Sequence, residues 1–87
     1  MTFIIASFRS RTQAAKFENL LKRNKIPCTL INTPREISVG CGVSVKFPEG
    51  YMNSVKRLLQ TIDPQSYAGL FRINDLNYGK NSYENLI

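Results

Sequence analysis

The sequence predicts an α+β protein of the ferredoxin-like class, a two-layer sandwich with two helices on one face of a four-stranded antiparallel sheet. Two observations predict this fold. The strand and helix signals follow one another in the order strand, helix, strand, strand, helix, strand, which is the βαββαβ arrangement. Each helical segment has one apolar stripe, and a single sheet face can bury both stripes. With 87 residues the chain has room for one such core.

The first half of the chain contains strand, helix and strand signals. Residues 3–6 form a continuous apolar run that is typical of a buried strand. Ser10 and Gln13 have capping-box spacing, which predicts the start of the first helix, and Asn24 ends it. The buried face of this helix is marked by apolar residues at helical spacing, namely Ala14, Phe17, Leu20 and Leu21. Residues 28–32 are the second strand.

The second half repeats the pattern. Residues 42–47 alternate between apolar and polar positions, which predicts a third strand with one face in water. A second helix, predicted to end at Asp63 and Pro64, is marked by Met52, Val55, Leu58, Leu59 and Ile62. Residues 67–73 form the fourth strand, in which Gly69 indicates a bulge or a close backbone approach.

The chain loses its periodicity from Asn74 onward and becomes rich in asparagine. We therefore predict a single domain over residues 1–73 and a polar C-terminal tail over residues 74–87. A second interpretation stays open, in which four apolar or aromatic residues of the tail dock on the domain or on a second copy. These residues are Tyr78, Tyr83, Leu86 and Ile87.

The composition excludes several classes of site. The chain has no histidine, and its two cysteines are Cys28 and Cys41, so a histidine-dependent hydrolase and a four-ligand metal site are not expected. We predict no metal and no cofactor. No apolar run is long enough to span a membrane, and the start lacks the features of a secretory signal. We therefore expect a cytoplasmic protein without a membrane association.

The net charge of +6 raises the possibility of nucleic-acid binding. The twelve Lys and Arg residues are scattered along the chain, with no run longer than two, which is typical of a solvated basic surface. The RNA-recognition fold has the same order of elements but carries stacking aromatics on the open face of its third strand. Here that face holds Ser44 and Lys46, so nucleic acid is not a favoured partner.

The segment of residues 33–42 has the pattern of a structured loop. Thr33 and Glu36 have capping-box spacing with Pro34 at the first helical position, which predicts a helical turn that ends near Gly40.

Cys41 is the residue of this segment that could carry chemistry. The glycines at 40 and 42 let another molecule come close to the main chain beside the thiol. Arg35, or Lys46 across the hairpin, could favour the thiolate, whereas the C-terminal end of a helical turn would oppose it. A structural role for Cys41, as a small residue in a tight corner, therefore stays open. For Cys28, inside a strand, we predict burial.

The run Thr33-Pro34-Arg35-Glu36-Ile37-Ser38, followed after two residues by Cys41-Gly42, resembles the signature of a family of short bacterial proteins called selenium/sulfur (Se/S) carrier protein-like. Other parts agree in kind: Phe8, the Lys-Ile-Pro sequence before the second strand, and residues 67–73. The resemblance covers residues 3–73. Gly40 stands where we expect serine or another small residue, a departure that leaves the Cys-Gly unit intact.

The resemblance implies a small carrier rather than a turnover catalyst. Cys41 would hold sulfur as a persulfide, or selenium as its analogue, and Arg35 would stabilise the thiolate. The expected partners are a donor, such as a cysteine desulfurase-type enzyme, and an acceptor. Access would come from the two flanking glycines, and the loop would be shaped by Thr33, Pro34, Glu36, Gly40 and Gly42.

An alternative interpretation is a ferredoxin-like interaction or dimerisation module without chemistry of its own. An exposed edge at the second strand and the tyrosines of the tail make a homodimer one expectation. A thiol redox protein is less favoured, because the chain lacks the Cys-x-x-Cys spacing.

Overall fold

The computed structural model describes residues 2–37, 40, 42–75 and 81–86. These residues form two α-helices and one five-stranded antiparallel sheet, in the order β1 (Phe3–Phe8), α1 (Arg11–Arg23), β2 (Thr29–Asn32), β3 (Val43–Pro48), α2 (Met52–Leu59), β4 (Tyr67–Asp75) and β5 (Asn81–Asn85). The predicted α+β class and the order of the first six elements are confirmed. The predicted four-stranded sheet is wrong, because a fifth strand is present. Neither helix in the described part of the chain is long and apolar enough to cross a bilayer.

The strands lie side by side in the order β2-β3-β1-β4-β5, and every neighbouring pair is antiparallel. The fifth strand lies in the segment that the sequence predicts as a tail. An ion pair supports it, since Arg72 of β4 and Glu84 directly opposite on β5 are in contact. Arg72 Nε also donates a hydrogen bond of 2.7 Å to Glu49, so the same guanidinium joins β4, β5 and the short 3₁₀ turn before α2.

Two residues of the predicted tail dock on the domain, as the second interpretation of that segment expects. Tyr83 packs against apolar side chains on the sheet face opposite the helices. Leu86 packs against the main core, and its amide donates a 2.8 Å hydrogen bond to the carbonyl of Leu70. Tyr78 and Ile87 lie outside the described residues.

The main core lies between the sheet and both helices, as predicted. Ser10 caps α1 by accepting a hydrogen bond from the Gln13 amide, and Asn24 is the C-terminal cap, so both predicted helix ends are confirmed. Inside the core, the rings of Phe8 and Phe17 have centroids 5.1 Å apart. The buried side chains that the two layers contribute include Ile4, Ala6, Phe8, Ala14, Phe17, Leu21, Val45, Phe47, Val55, Leu59 and Leu70.

The second helix is shorter than predicted, because α2 ends at Leu59 rather than at Asp63 and Pro64. The hydroxyl of Thr61 donates to the carbonyl of Leu58 over 2.6 Å, a side-chain bond that competes with continued helix. Asp63 then accepts a hydrogen bond from the amide of Gln65 and caps a separate 3₁₀ turn that leads into β4.

The sheet face opposite the helices is also buried over its centre. Ile5, Ile37 and Phe71 form a second apolar cluster there. The prediction that one face of the third strand is wet is wrong at Ser44, whose side chain is 0% exposed. The reason is that residues of the connection between β2 and β3 fold back over this face, with Ile37 only 8% exposed.

Candidate functional site

The connection between β2 and β3, residues 33–42, is the candidate site. The amide of Thr33 donates a 2.8 Å hydrogen bond to the carbonyl of Gly42, which extends the β2–β3 ladder by one pair and closes the connection at its base. Cys41, with Ser38 and Val39, lies outside the described residues. We therefore describe the site by the residues that flank Cys41 in the sequence and by the strands that hold those residues.

A chain of three hydroxyl groups anchors the base of this connection. The oxygens of Ser7 and Ser44 are 2.8 Å apart, and those of Ser44 and Thr33 are 2.5 Å apart. Ser7 and Ser44 are completely buried, so both hydroxyls need partners inside the protein: Ser7 bonds to Ser44, and Ser44 bonds to both Ser7 and Thr33. The hydroxyl of Thr33 bonds to Ser44 of β3. The sequence had predicted a different role for Thr33, as part of a capping box with Glu36. The sequence analysis did not predict these hydroxyl bonds. A serine in each of two predicted strands, Ser7 and Ser44, was the available signal.

A tight turn follows the base. The amide of Ile37 donates a 3.0 Å hydrogen bond to the carbonyl of Pro34, and residues 35–37 form a turn. Ile37 packs with Ile5 and Phe71, whereas Arg35 and Glu36 are exposed. Since Ile37 is inserted into an apolar cluster, this part of the connection is fixed to the body of the protein.

The two glycines beside Cys41 have different surroundings. Both have positive φ angles, +77° for Gly40 and +88° for Gly42, which favour glycine. A Cβ on Gly40 would lie 2.4 Å from the carbonyl oxygen of Phe8 and 3.3 Å from the Cβ of Ala68, so Gly40 sits tightly against the end of β1. A Cβ on Gly42 would meet nothing within 4 Å. One glycine thus allows packing, and the other faces open space.

β4 is irregular at Ala68, the residue near Gly40. The register between β1 and β4 shifts between Ser7 and Phe8, because Ser7 pairs with Gly69 and Phe8 pairs with Tyr67. The bulge predicted near Gly69 is confirmed. A Cβ on Gly69 would also lie 2.6 Å from the ring of Phe71, so the predicted close approach is present as well.

The two cations predicted to act on Cys41 are placed differently. Arg35 is exposed in the turn at residues 35–37. The Nζ atom of Lys46 lies 4.4 Å from the centroid of the Phe3 ring, as a cation–π contact. Phe3 and Phe8 are the two ends of β1, about 16 Å apart along a strand. Lys46 is therefore directed away from the end where Gly40 packs, and the role of Arg35 stays a prediction.

Cys28 is a half-buried free thiol that packs against the main core. Its Sγ donates to the carbonyl of Glu18 over 3.6 Å. Burial raises the pKa of this thiol, and the negative charge of Glu18 adds to the effect, while Lys22 opposes it. The raised pKa favours the protonated form of Cys28, which is less reactive than the thiolate. Among the described residues, no three His, Cys, Asp or Glu side chains converge on a site that could hold a metal ion.

One comparison with known proteins gives a match. Residues 3–70, well over half of the chain, match the model of the family described as "Putative Se/S carrier protein-like". The matched region includes the whole of residues 33–42 and ends before β5. No curated protein and no solved structure matches the chain significantly.

Proposed function

The chain belongs to the Se/S carrier protein-like family, and we propose from this premise that it holds sulfur as a persulfide, or selenium as its analogue, on Cys41 and hands it to an acceptor. The family name describes a carrier. The persulfide, the identity of the carrying residue and the hand-off are our proposal. The observation that supports it is the pair of glycines on either side of Cys41, of which Gly40 packs against Phe8 and Gly42 faces open space.

This arrangement suits a carrier thiol. The carrier must hold its cysteine on a rigid segment, so that donor and acceptor meet the same geometry. It must also leave one side of that cysteine free for another protein to approach. The first need is supported by Ile37 and the hydroxyl chain of Thr33, Ser44 and Ser7, and the second by Gly42.

The transfer is an exchange between a thiolate and a persulfide. The Cys41 thiolate attacks the outer sulfur of the donor's persulfide, a new S–S bond forms on Cys41, and the donor's own S–S bond breaks. The donor cysteine leaves as a thiolate, and the outer sulfur keeps its proton as it passes to Cys41, so charge and atoms balance without an external oxidant. A cysteine desulfurase-type enzyme is the proposed donor. Arg35 is the proposed charge that favours the thiolate of Cys41.

The hand-off reverses this step with a nucleophile of the acceptor, and Cys41 returns to the thiolate. Each cycle leaves the chain unchanged and alters no small molecule by itself. We therefore propose a carrier and not a turnover catalyst.

Mass spectrometry of the intact protein tests the proposal. After incubation with a cysteine desulfurase, its cofactor and cysteine, we expect the protein to gain the mass of one sulfur atom, with the modification on Cys41. Cys41→Ser should gain none. Cys28→Ser is the matched control and should gain as much as the unaltered protein, because Cys28 is half-buried and its raised pKa favours the less reactive thiol. Equal modification of the two variants, or none in the unaltered protein, would contradict the proposal.

A second candidate function is an interaction module that pairs through the edge of its sheet. β2 is an edge strand, and three of its four residues are exposed, including Leu30 at 38%. Strands of this kind present unpaired backbone groups to another chain. In this case Cys41→Ser would keep its self-association in sedimentation measurements, whereas Leu30→Lys would lose it.

A further inference from the structure

A groove runs along one side of α1, on the helical layer of the protein. Its volume is about 870 Å³. Its most buried lining residues are Phe8 and Phe17 of the main core, and Leu20 of α1 and Ile62 of the α2–β4 connection also line it. Leu20 and Ile62 are each half-buried, so both α1 and the connection contribute apolar surface to the groove.

The two helices differ in length. α1 has 13 residues and α2 has 8, so α1 is longer by about 7.5 Å of helical rise. The chain after Leu59 passes this region as a turn and a short 3₁₀ helix instead. From this connection, Ile62, Asp63 and Ser66 line the groove beside α1, and Ile62 is the apolar residue among these three.

The rim of the groove on the α1 side is positively charged. Lys16 and Arg23 line it and are exposed, two helical turns apart. Lys22 also lines it and forms an ion pair of 3.3 Å with Glu18. Asp63, the cap of the 3₁₀ turn, also lines the groove, so three cationic side chains and one carboxylate lie along it. The rim thus favours a negatively charged occupant with apolar side chains.

We propose that this groove binds an acidic amphipathic segment of a partner protein. A small molecule is less well suited, because ligand pockets enclose most of the ligand's surface and this groove is open toward solvent. A peptide segment brings a second face of its own that can stay in water. Its apolar side chains contact Leu20 and Ile62, while its carboxylates face Lys16 and Arg23. This binding function goes beyond the carrier role and does not depend on Cys41.

Binding of a synthetic helical peptide, with glutamates on one face and leucines on the other, tests the proposal. Titration followed by amide NMR shifts should give saturable binding, with the shifted amides in residues 16–23 and 62–66. The double variant Lys16→Glu/Arg23→Glu should weaken binding by at least about tenfold, because two attractive contacts become repulsive. Cys41→Ser should bind as the unaltered protein does, which separates this proposal from sulfur transfer.

Lys56→Glu/Arg57→Glu is the matched control. Both of these side chains are exposed on α2 and lie outside the groove, and the change in net charge is the same. This variant should bind the peptide within about twofold of the unaltered protein, since charges farther away are screened by salt. Equal weakening in both double variants would mean nonspecific attraction and would overturn the proposal. So would the absence of saturable binding, or binding of decanoate in the groove without binding of the peptide.

Discussion

Replacing Gly40 by alanine gives a sharp test of how residues 33–42 are held, because Gly42 is a built-in control. Both glycines have a positive φ, and an alanine in that region costs about 1–2 kcal/mol at either position. Only at Gly40 does the new Cβ meet the protein, 2.4 Å from the carbonyl oxygen of Phe8. Because Phe8 belongs to the central strand β1, the backbone cannot give way cheaply.

The contact at Gly40 should add about 1–3 kcal/mol to the cost of the backbone angle, as other forced contacts in packed regions do. We therefore expect Gly42→Ala to lower the free energy of unfolding by about 1–2 kcal/mol and Gly40→Ala by about 2–5 kcal/mol. Alanine reduces the conformational entropy of the unfolded chain equally in both variants, so this effect on the free energy of unfolding cancels when the two are compared.

Urea unfolding followed by circular dichroism measures both variants. The midpoints should fall in the order unaltered protein, Gly42→Ala, Gly40→Ala, with an unchanged dependence of the free energy on urea. If Gly40→Ala is no less stable than Gly42→Ala, Gly40 does not pack against Phe8, and our account of how the segment is fixed is wrong.

Three further predictions concern the same region and the second cysteine. Ser44→Ala should lower the free energy of unfolding by about 1–3 kcal/mol, because it leaves the buried hydroxyl of Ser7 without its partner. In urea unfolding, the double variant with Ser7→Ala should lose less than the sum of the two single variants. Additive losses would contradict the hydrogen bond between the two hydroxyls. Ile37→Ala should lower the free energy of unfolding by about 2 kcal/mol, since it removes a side chain that is 8% exposed, and a change below about 0.5 kcal/mol would mean that the turn is not packed on the sheet. In Cys41→Ser protein, Cys28 should react with iodoacetamide more slowly than free cysteine at pH 8, because its raised pKa keeps the thiol protonated to higher pH. A faster reaction would contradict the raised pKa.

Local signals in the sequence were sufficient for the elements of the main core. The caps of α1 at Ser10 and Asn24 were predicted because each capping residue bonds to a residue within four positions of itself in the sequence. The bulge at Gly69 was predicted because a glycine inside a strand has no side chain to pack and commonly marks such an irregularity.

Several features that were not predicted depend on contacts between distant parts of the chain. β5 has no alternating pattern, and it forms because β4 offers an edge and Arg72 contacts Glu84. The burial of Ser44 follows from Ser7, which is 37 residues away, and from Thr33 in the folded-back connection. The end of α2 at Leu59 was missed because the apolar stripe continues to Ile62, beyond the helix itself.

For the candidate site, the sequence indicated the segment but not the contacts that hold it. Residues 33–42 were chosen for their glycines and for the family resemblance, and the family match includes them. The role of this segment as the site stays a prediction. The supports come from β1, β3 and β4, which no pattern within the segment could indicate. Lys46 is a clear example, since its charge lies over Phe3 and not toward the segment.

The packing of Ile37 with Ile5 and Phe71 has a consequence for protein engineering. A designer who grafts residues 33–42 onto another scaffold would transfer the cysteine and its glycines but not the surface on which they rest. The recipient would need apolar side chains around the isoleucine and two hydrogen-bonded serines, one of which also bonds to the threonine. It would also need a backbone carbonyl in close contact with the first glycine. Without these, the transplanted decapeptide would lose its shape even though its sequence is intact.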